Sequence, residues 1–158
     1  WRLCAPTIPC CPSVQENEDL TRLRYLEQYG LREADIQSLP LRPESRAYLD
    51  CMIDAARTGE GEAECLMACL PCMLSYGWIF QKLLEEKPSV QDTLYGALVV
   101  DYADKGYEAA CRDWAAFAEK VCEGLSDERL ARCREIFHAC SASRAELLGH
   151  GSFPRSDL

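Results

Sequence analysis

Histidine is almost missing from this chain: there are two in 158 residues, His138 and His150. A zinc site of ordinary spacing needs paired ligands, and no second cysteine–histidine pair stands near these two to complete a tetrahedral set. No metal centre and no cofactor are expected. Blocks of basic residues are also lacking, and 17 lysines and arginines against 26 acidic residues leave a net charge of −9. That balance disfavours a phosphate backbone or an anionic membrane surface as partner. The longest apolar run, Cys65 to Leu74 with Pro71 inside it, is about half of what a membrane span requires. The N-terminus shows no secretory hydrophobic region. Hairpin signals, repeats and low-complexity stretches are missing as well. With 48% hydrophobic and 27% charged residues, the chain is too apolar for disorder.

What is abundant is cysteine, eleven in all. An oxidised framework expects an even number set in turn-rich segments of a small secreted scaffold. Here the number is odd, and eight of the eleven fall in helical patterns. Reduced thiols packed as small hydrophobes, in a cytoplasmic protein, are the expectation.

The pattern along the chain is helical throughout. Residues 1–12 read as irregular, with three prolines and three cysteines. Ser13 to Glu16 forms a capping box, Leu20, Leu23, Leu26 and Tyr29 recur at helical spacing, and Gly30 supplies a left-handed stop. A connector from Leu31 to Arg42 includes a short helical turn at Arg32 to Gln37. Pro43 suits the first turn of the next helix, which ends at Thr58-Gly59-Glu60-Gly61. Glu62 opens the most apolar segment, which runs to Glu85 or Glu86. Apolar residues cover all its faces, predicting a central helix, and Pro71 predicts a kink or bulge within it. A shorter helix is expected over Ser89 to Ala103, a clear one over Lys105 to Gly124, and a last one capped by Ser126 and extending to Leu148. The tail, residues 149–158, reads as loose. The expectation is an all-α bundle of about six helices, one domain over residues 13–148.

Two features of the central helix bear on chemistry. Cys69-Leu70-Pro71-Cys72 has C-x-x-C spacing, but a redox pair belongs at a helix start after a strand, and this pair lies inside an apolar helix. Cys72 alone is the sharper candidate. It follows Pro71, and Tyr76 stands one turn on along the same face. A thiol beside a phenol at a helix irregularity suits a nucleophile with a substrate-orienting hydroxyl. The plainer alternative is a buried cysteine packed like an alanine, and on residue types alone that alternative is the commoner case. Tyr48, Tyr102 and Tyr107, in other segments, read by themselves as core aromatics with satisfied hydroxyls.

The order of these segments resembles the TenA family, the thiaminase II or aminopyrimidine aminohydrolase group. The carrying stretches are Leu31 to Tyr48, a proline-rich linker into a helix with a pocket tyrosine, and Ala68-Cys69-Leu70-Pro71-Cys72-Met73-Leu74-Ser75-Tyr76, similar to the family's Leu-Pro-Cys-x-x-x-Tyr. Tyr95 to Tyr107 is similar to its Tyr-x-x-Trp-Ile-x-x-Tyr segment, and Ile136 to Glu146 resembles the end of its final helix. The resemblance spans about Glu16 to Leu148. It implies a haem-oxygenase-like fold, a homo-oligomer (dimer or tetramer) and hydrolysis at a pyrimidine-methyl carbon in thiamin salvage. Carried over, Cys72 is the nucleophile, Glu146 the acid/base activated by burial, and Tyr48, Tyr76 and Tyr102 shape a pocket for a small pyrimidine.

Three departures accompany it. No segment before Ser13 supplies the family's Gln-Asp-x-x-Tyr motif, so the expected fold is shortened at its N-terminus. Val99-Val100 stands where Trp-Ile is common, and Leu147-Leu148 follows Glu146 where Phe-Trp is usual. A second reading therefore runs beside the enzyme: a non-catalytic TenA-like protein that binds a small aromatic ligand or another chain.

Overall fold

The computed structural model describes residues 23–149, apart from the side chain of Leu147. It is all α-helix with one 3₁₀ turn, and no strand occurs among the described residues. The chain divides into two compact units, Trp1–Pro40 and Leu41–Leu158.

In the first unit, helix α1 is described over residues 23–28 and stops as its sequence requires. Gly30 takes φ +72°, a conformation that costs glycine little. Leu31 N–H then donates to the Leu26 carbonyl at 2.8 Å and Gly30 N–H to Glu27 at 3.0 Å, the paired bonds of a Schellman ending. The Ser13 capping box and the irregular residues 1–12 lie outside the described residues, as does the tail beyond Gly149. Helix α2 (Glu33–Gln37) is the short turn expected in the connector, braced by Arg32 and Asp35.

The second unit carries the remaining elements. Helix α3 (Pro43–Thr58) begins with proline at N1. Helix α4 (Glu62–Glu86) packs against α3, α5, α6, α7 and the 3₁₀ turn, the central place that its all-round apolarity predicts. By length and composition alone α4 could cross a membrane, with a mean hydropathy of 1.4 over its most apolar window; a central bundle helix has the same signature. No π-bulge occurs at Pro71, and the helix is continuous through this buried residue. Neighbours on several sides keep α4 helical through the one missing ladder bond.

The shorter helix expected over Ser89 to Ala103 is split into the 3₁₀ turn (Pro88–Asp92) and α5 (Gly96–Ala103). Thr93 is extended at the break, and Gly96 N–H donates to the Thr93 carbonyl at 2.9 Å. Asp104 alone separates α5 from α6 (Lys105–Cys122), and its carboxylate accepts from Gly106 N–H as N-cap. Gly124, at φ +77°, turns the chain beyond α6. Helix α7 (Asp127–Gly149) starts where Ser126 Oγ accepts from Arg129 N–H at 3.3 Å.

The core of this unit is Tyr48 and Ala55 from α3, Ala68 from α4, and Ile136 and Cys140 from α7. One turn before Ala68 on α4, the carboxylate of Glu64, 1% exposed, takes a two-pronged bond from Arg129, Nε to Oε1 at 3.0 Å and Nη2 to Oε2 at 2.9 Å. The pair ties the first turn of α4 to the first turn of α7. A bidentate, charge-assisted geometry of this kind is among the stronger side-chain links.

Candidate functional site

Helix α4 places Cys72, Ser75, Tyr76 and Phe80 within about two turns of one another. Cys72 is half-buried and packs against the core cluster that contains Tyr48. Its sulfur is near enough to the Tyr48 hydroxyl to act on that group's charge. Three of the four tyrosines considered above join a ring assembly beside it. Tyr76 stacks with Phe80 at 5.6 Å and meets Tyr102 of α5 at 5.0 Å, and Tyr102 meets Tyr107 of α6 edge-on at 4.9 Å. The Tyr107 hydroxyl donates to the Met73 carbonyl at 3.1 Å, which fixes this wall to α4. Such tilted pairs follow the charge distribution of aromatic rings. Cys72, Tyr48, Tyr76 and Tyr102 thus lie in one connected group of side chains.

Glu146 is not among them. The burial expected to activate it as acid/base is absent, for Glu146 is exposed on α7. The side chain that α7 sends inward is Arg144, 4% exposed. Residues two apart on a helix point to roughly opposite sides, so one of the two must face out if the other faces in. Arg144 continues a buried row, Cys133, Ile136 and Cys140, at helical spacing. That row, extended by one turn, is the signal in the sequence that leads to Arg144.

Arg144 organises the centre. Its guanidinium lies 4.3 Å from the Tyr76 ring centroid and 5.6 Å from that of Tyr48. Its Nε donates to Ser75 Oγ at 2.7 Å, and Ser75 Oγ donates to the Cys72 carbonyl at 3.1 Å. A relay of two hydrogen bonds therefore links the arginine to the backbone of the candidate nucleophile. Burial works against the Arg144 cation, but Tyr76, Cys72 and Tyr48 outweigh it and raise its pKa. The Tyr48 hydroxyl is raised too, by burial first and then by the neighbouring Cys72, with Arg144 opposing. Tyr48 stays protonated at any physiological pH and so has a proton to donate. Two polar atoms here are buried without a hydrogen-bond partner, the Tyr48 hydroxyl and Arg144 Nη2.

Other features lie apart. A surface depression of about 280 Å³ is lined by Trp78, Gly77 and Cys111, and another of about 250 Å³ by Cys51, Ala55 and Ile136. Neither includes Cys72. Cys51, Cys65, Cys72, Cys111, Cys122, Cys133 and Cys140 are free thiols. Among the described residues no group of histidines, cysteines and carboxylates is placed to hold a metal ion.

Neither the curated proteins nor the solved structures contain a significant match to this chain. The sequence profile of the TENA/THI-4/PQQC family, by contrast, matches residues 14–148. That stretch includes every tyrosine, cysteine and arginine of the constellation around Cys72. The chain belongs to the TENA/THI-4/PQQC family, and its fold is the family's haem-oxygenase-like all-α fold.

Proposed function

We propose that the chain acts on a small pyrimidine at the Cys72 site, as a thiaminase II-type hydrolase. The observation that carries this reading is the placement of the Cys72 sulfur beside the Tyr48 hydroxyl, with Tyr76 and Tyr102 in one aromatic wall. In this scheme the Cys72 thiolate adds to the pyrimidine ring, the leaving group departs from the exocyclic methylene, and water takes its place. Elimination of the thiolate then releases a hydroxymethyl-pyrimidine. Tyr76 and Tyr102 contribute aromatic surface to the wall of the site, and Tyr48 offers a proton firmly held. The same reading takes the protein as cytoplasmic and homo-oligomeric. Trp78, at 65% exposed, is an apolar surface that a second subunit would cover.

One observation favours the second reading, ligand binding without turnover. No carboxylate of the described residues joins the site, and Glu146 faces away from the core. Proton transfer by a positioned acid or base contributes about 10²–10⁴ in rate, so its loss is a severe handicap to a hydrolase.

Incubation with aminomethyl-pyrimidine and with thiamin, followed by mass spectrometry for hydroxymethyl-pyrimidine, separates the two. Turnover abolished by Cys72→Ser supports the hydrolase. Turnover that persists in Cys72→Ser removes the nucleophile. Saturable pyrimidine binding with no product supports the second reading.

A further inference from the structure

The two unpartnered polar atoms of the site share a chemical character. Arg144 Nη2 carries only donors, and the Tyr48 hydroxyl, protonated, has a donor to give. Both residues are more than nine-tenths buried, Arg144 at 4% exposed and Tyr48 at 6%. Their neighbours are a sulfur and a phenol, with no carboxylate among them: Cys72 stands beside the Tyr48 hydroxyl and Tyr76 beside the guanidinium, while Ser75 is engaged at Arg144 Nε. No acidic side chain of the described residues is paired with Arg144. A buried guanidinium normally meets a carboxylate or phosphate, because desolvation of an unpaired charge is costly. Arg129 shows the ordinary solution in the same helix, with Glu64 occupying its fork.

We propose that Arg144 and Tyr48 form an oxyanion subsite, which takes a carboxylate or phosphate group carried by a small ring-bearing ligand. The guanidinium presents the planar fork that matches two oxygens, and Tyr48 adds a neutral donor from α3. The ring of such a ligand would lie against the aromatic wall to which Tyr76 and Tyr102 belong. The subsite deepens the reading of Cys72 as the centre of a pyrimidine site and rests on it. It narrows the ligand to an anionic member of that class.

The test is equilibrium binding by calorimetry to the full chain, with three probes that share one ring: pyrimidine-5-carboxylate, pyrimidin-5-ylmethyl phosphate and pyrimidine-5-methanol. One or both anions are expected to bind at least about tenfold more tightly than the alcohol, and the stronger of the two identifies the oxyanion. Arg144→Gln should reduce that preference to within about twofold, and Arg144→Lys should restore part of it. Tyr48→Phe should weaken the anion by several fold, the scale of one donor. Alcohol bound as tightly as both anions overturns the subsite and leaves the pyrimidine site standing. None of the three bound overturns the site and the subsite together. Should Arg144→Gln fail to fold, the wild-type ranking of the probes decides by itself.

Discussion

The Arg144 guanidinium sits 4.3 Å from the Tyr76 ring centroid while its Nε bonds Ser75, the residue just before that tyrosine. One side chain of α7 thus grips α4 by a ring face and by a hydroxyl at once. Replacement with alanine removes both contacts and a buried stem, and should cost about 2–4 kcal/mol in urea unfolding. Arg144→Met keeps the volume and removes the unpaired charge, and should be neutral within about 1 kcal/mol or even stabilising. An arginine that methionine can replace without loss of stability is kept for what it binds.

The Glu64–Arg129 pair predicts a pH dependence. The Arg129 hydrogen bonds hold the Glu64 carboxyl below its ordinary value of 4.5, against the opposing effect of burial. A carboxyl depressed in the folded state adds stability that is fully present above pH 4.5 and is lost as the pH falls through the folded value. Thermal melts should therefore drop more steeply below about pH 4.5 for the wild type than for Glu64→Gln. At neutral pH the variant should be weaker by about 1–3 kcal/mol, since Arg129 is partly exposed and can recover water.

Gly96 should not accept a side chain. A Cβ there would lie 1.9 Å from the Gln91 carbonyl oxygen, a backbone atom that cannot swing aside. Gly96→Ala should cost about 3 kcal/mol or more by overpacking, read as a lowered urea midpoint at unchanged slope. Gly77→Ala should be milder, because the nearest atom, Cys111 Sγ at 3.1 Å, ends a side chain.

Thiol labelling should be graded. Cys69 is exposed, whereas Cys140 is fully buried, and burial together with a 3.0 Å contact to the Cys51 sulfur pushes its pKa up to about 12. A thiol of that kind is almost wholly protonated at pH 8 and is shielded as well. Among the described cysteines, mass spectrometry after brief alkylation at pH 8 should find Cys69 modified first and Cys140 only after unfolding.

Helix positions were legible because their punctuation is local: Gly30 and Gly124 at positive φ, proline first in α3, Ser126 at the start of α7. The split at Thr93 was not, since it depends on Gly96 meeting the Gln91 backbone, a contact that no periodicity encodes. In the site, Cys72 with Tyr76 followed from spacing one turn apart. Glu146 was selected by residue type, and helical phase decided against it. A charged residue on an apolar row looks like an error in the row, and so Arg144 was passed over although Cys133, Ile136 and Cys140 lead directly to it.

Asp104 is the only residue between two helices that each bear one ring of the aromatic wall, Tyr102 before it and Tyr107 after it. Any tilt of α5 away from α6 must be taken up at that single joint. The gap between the two rings consequently widens or narrows with the backbone angles of one aspartate, much as the covers of a book part about its spine.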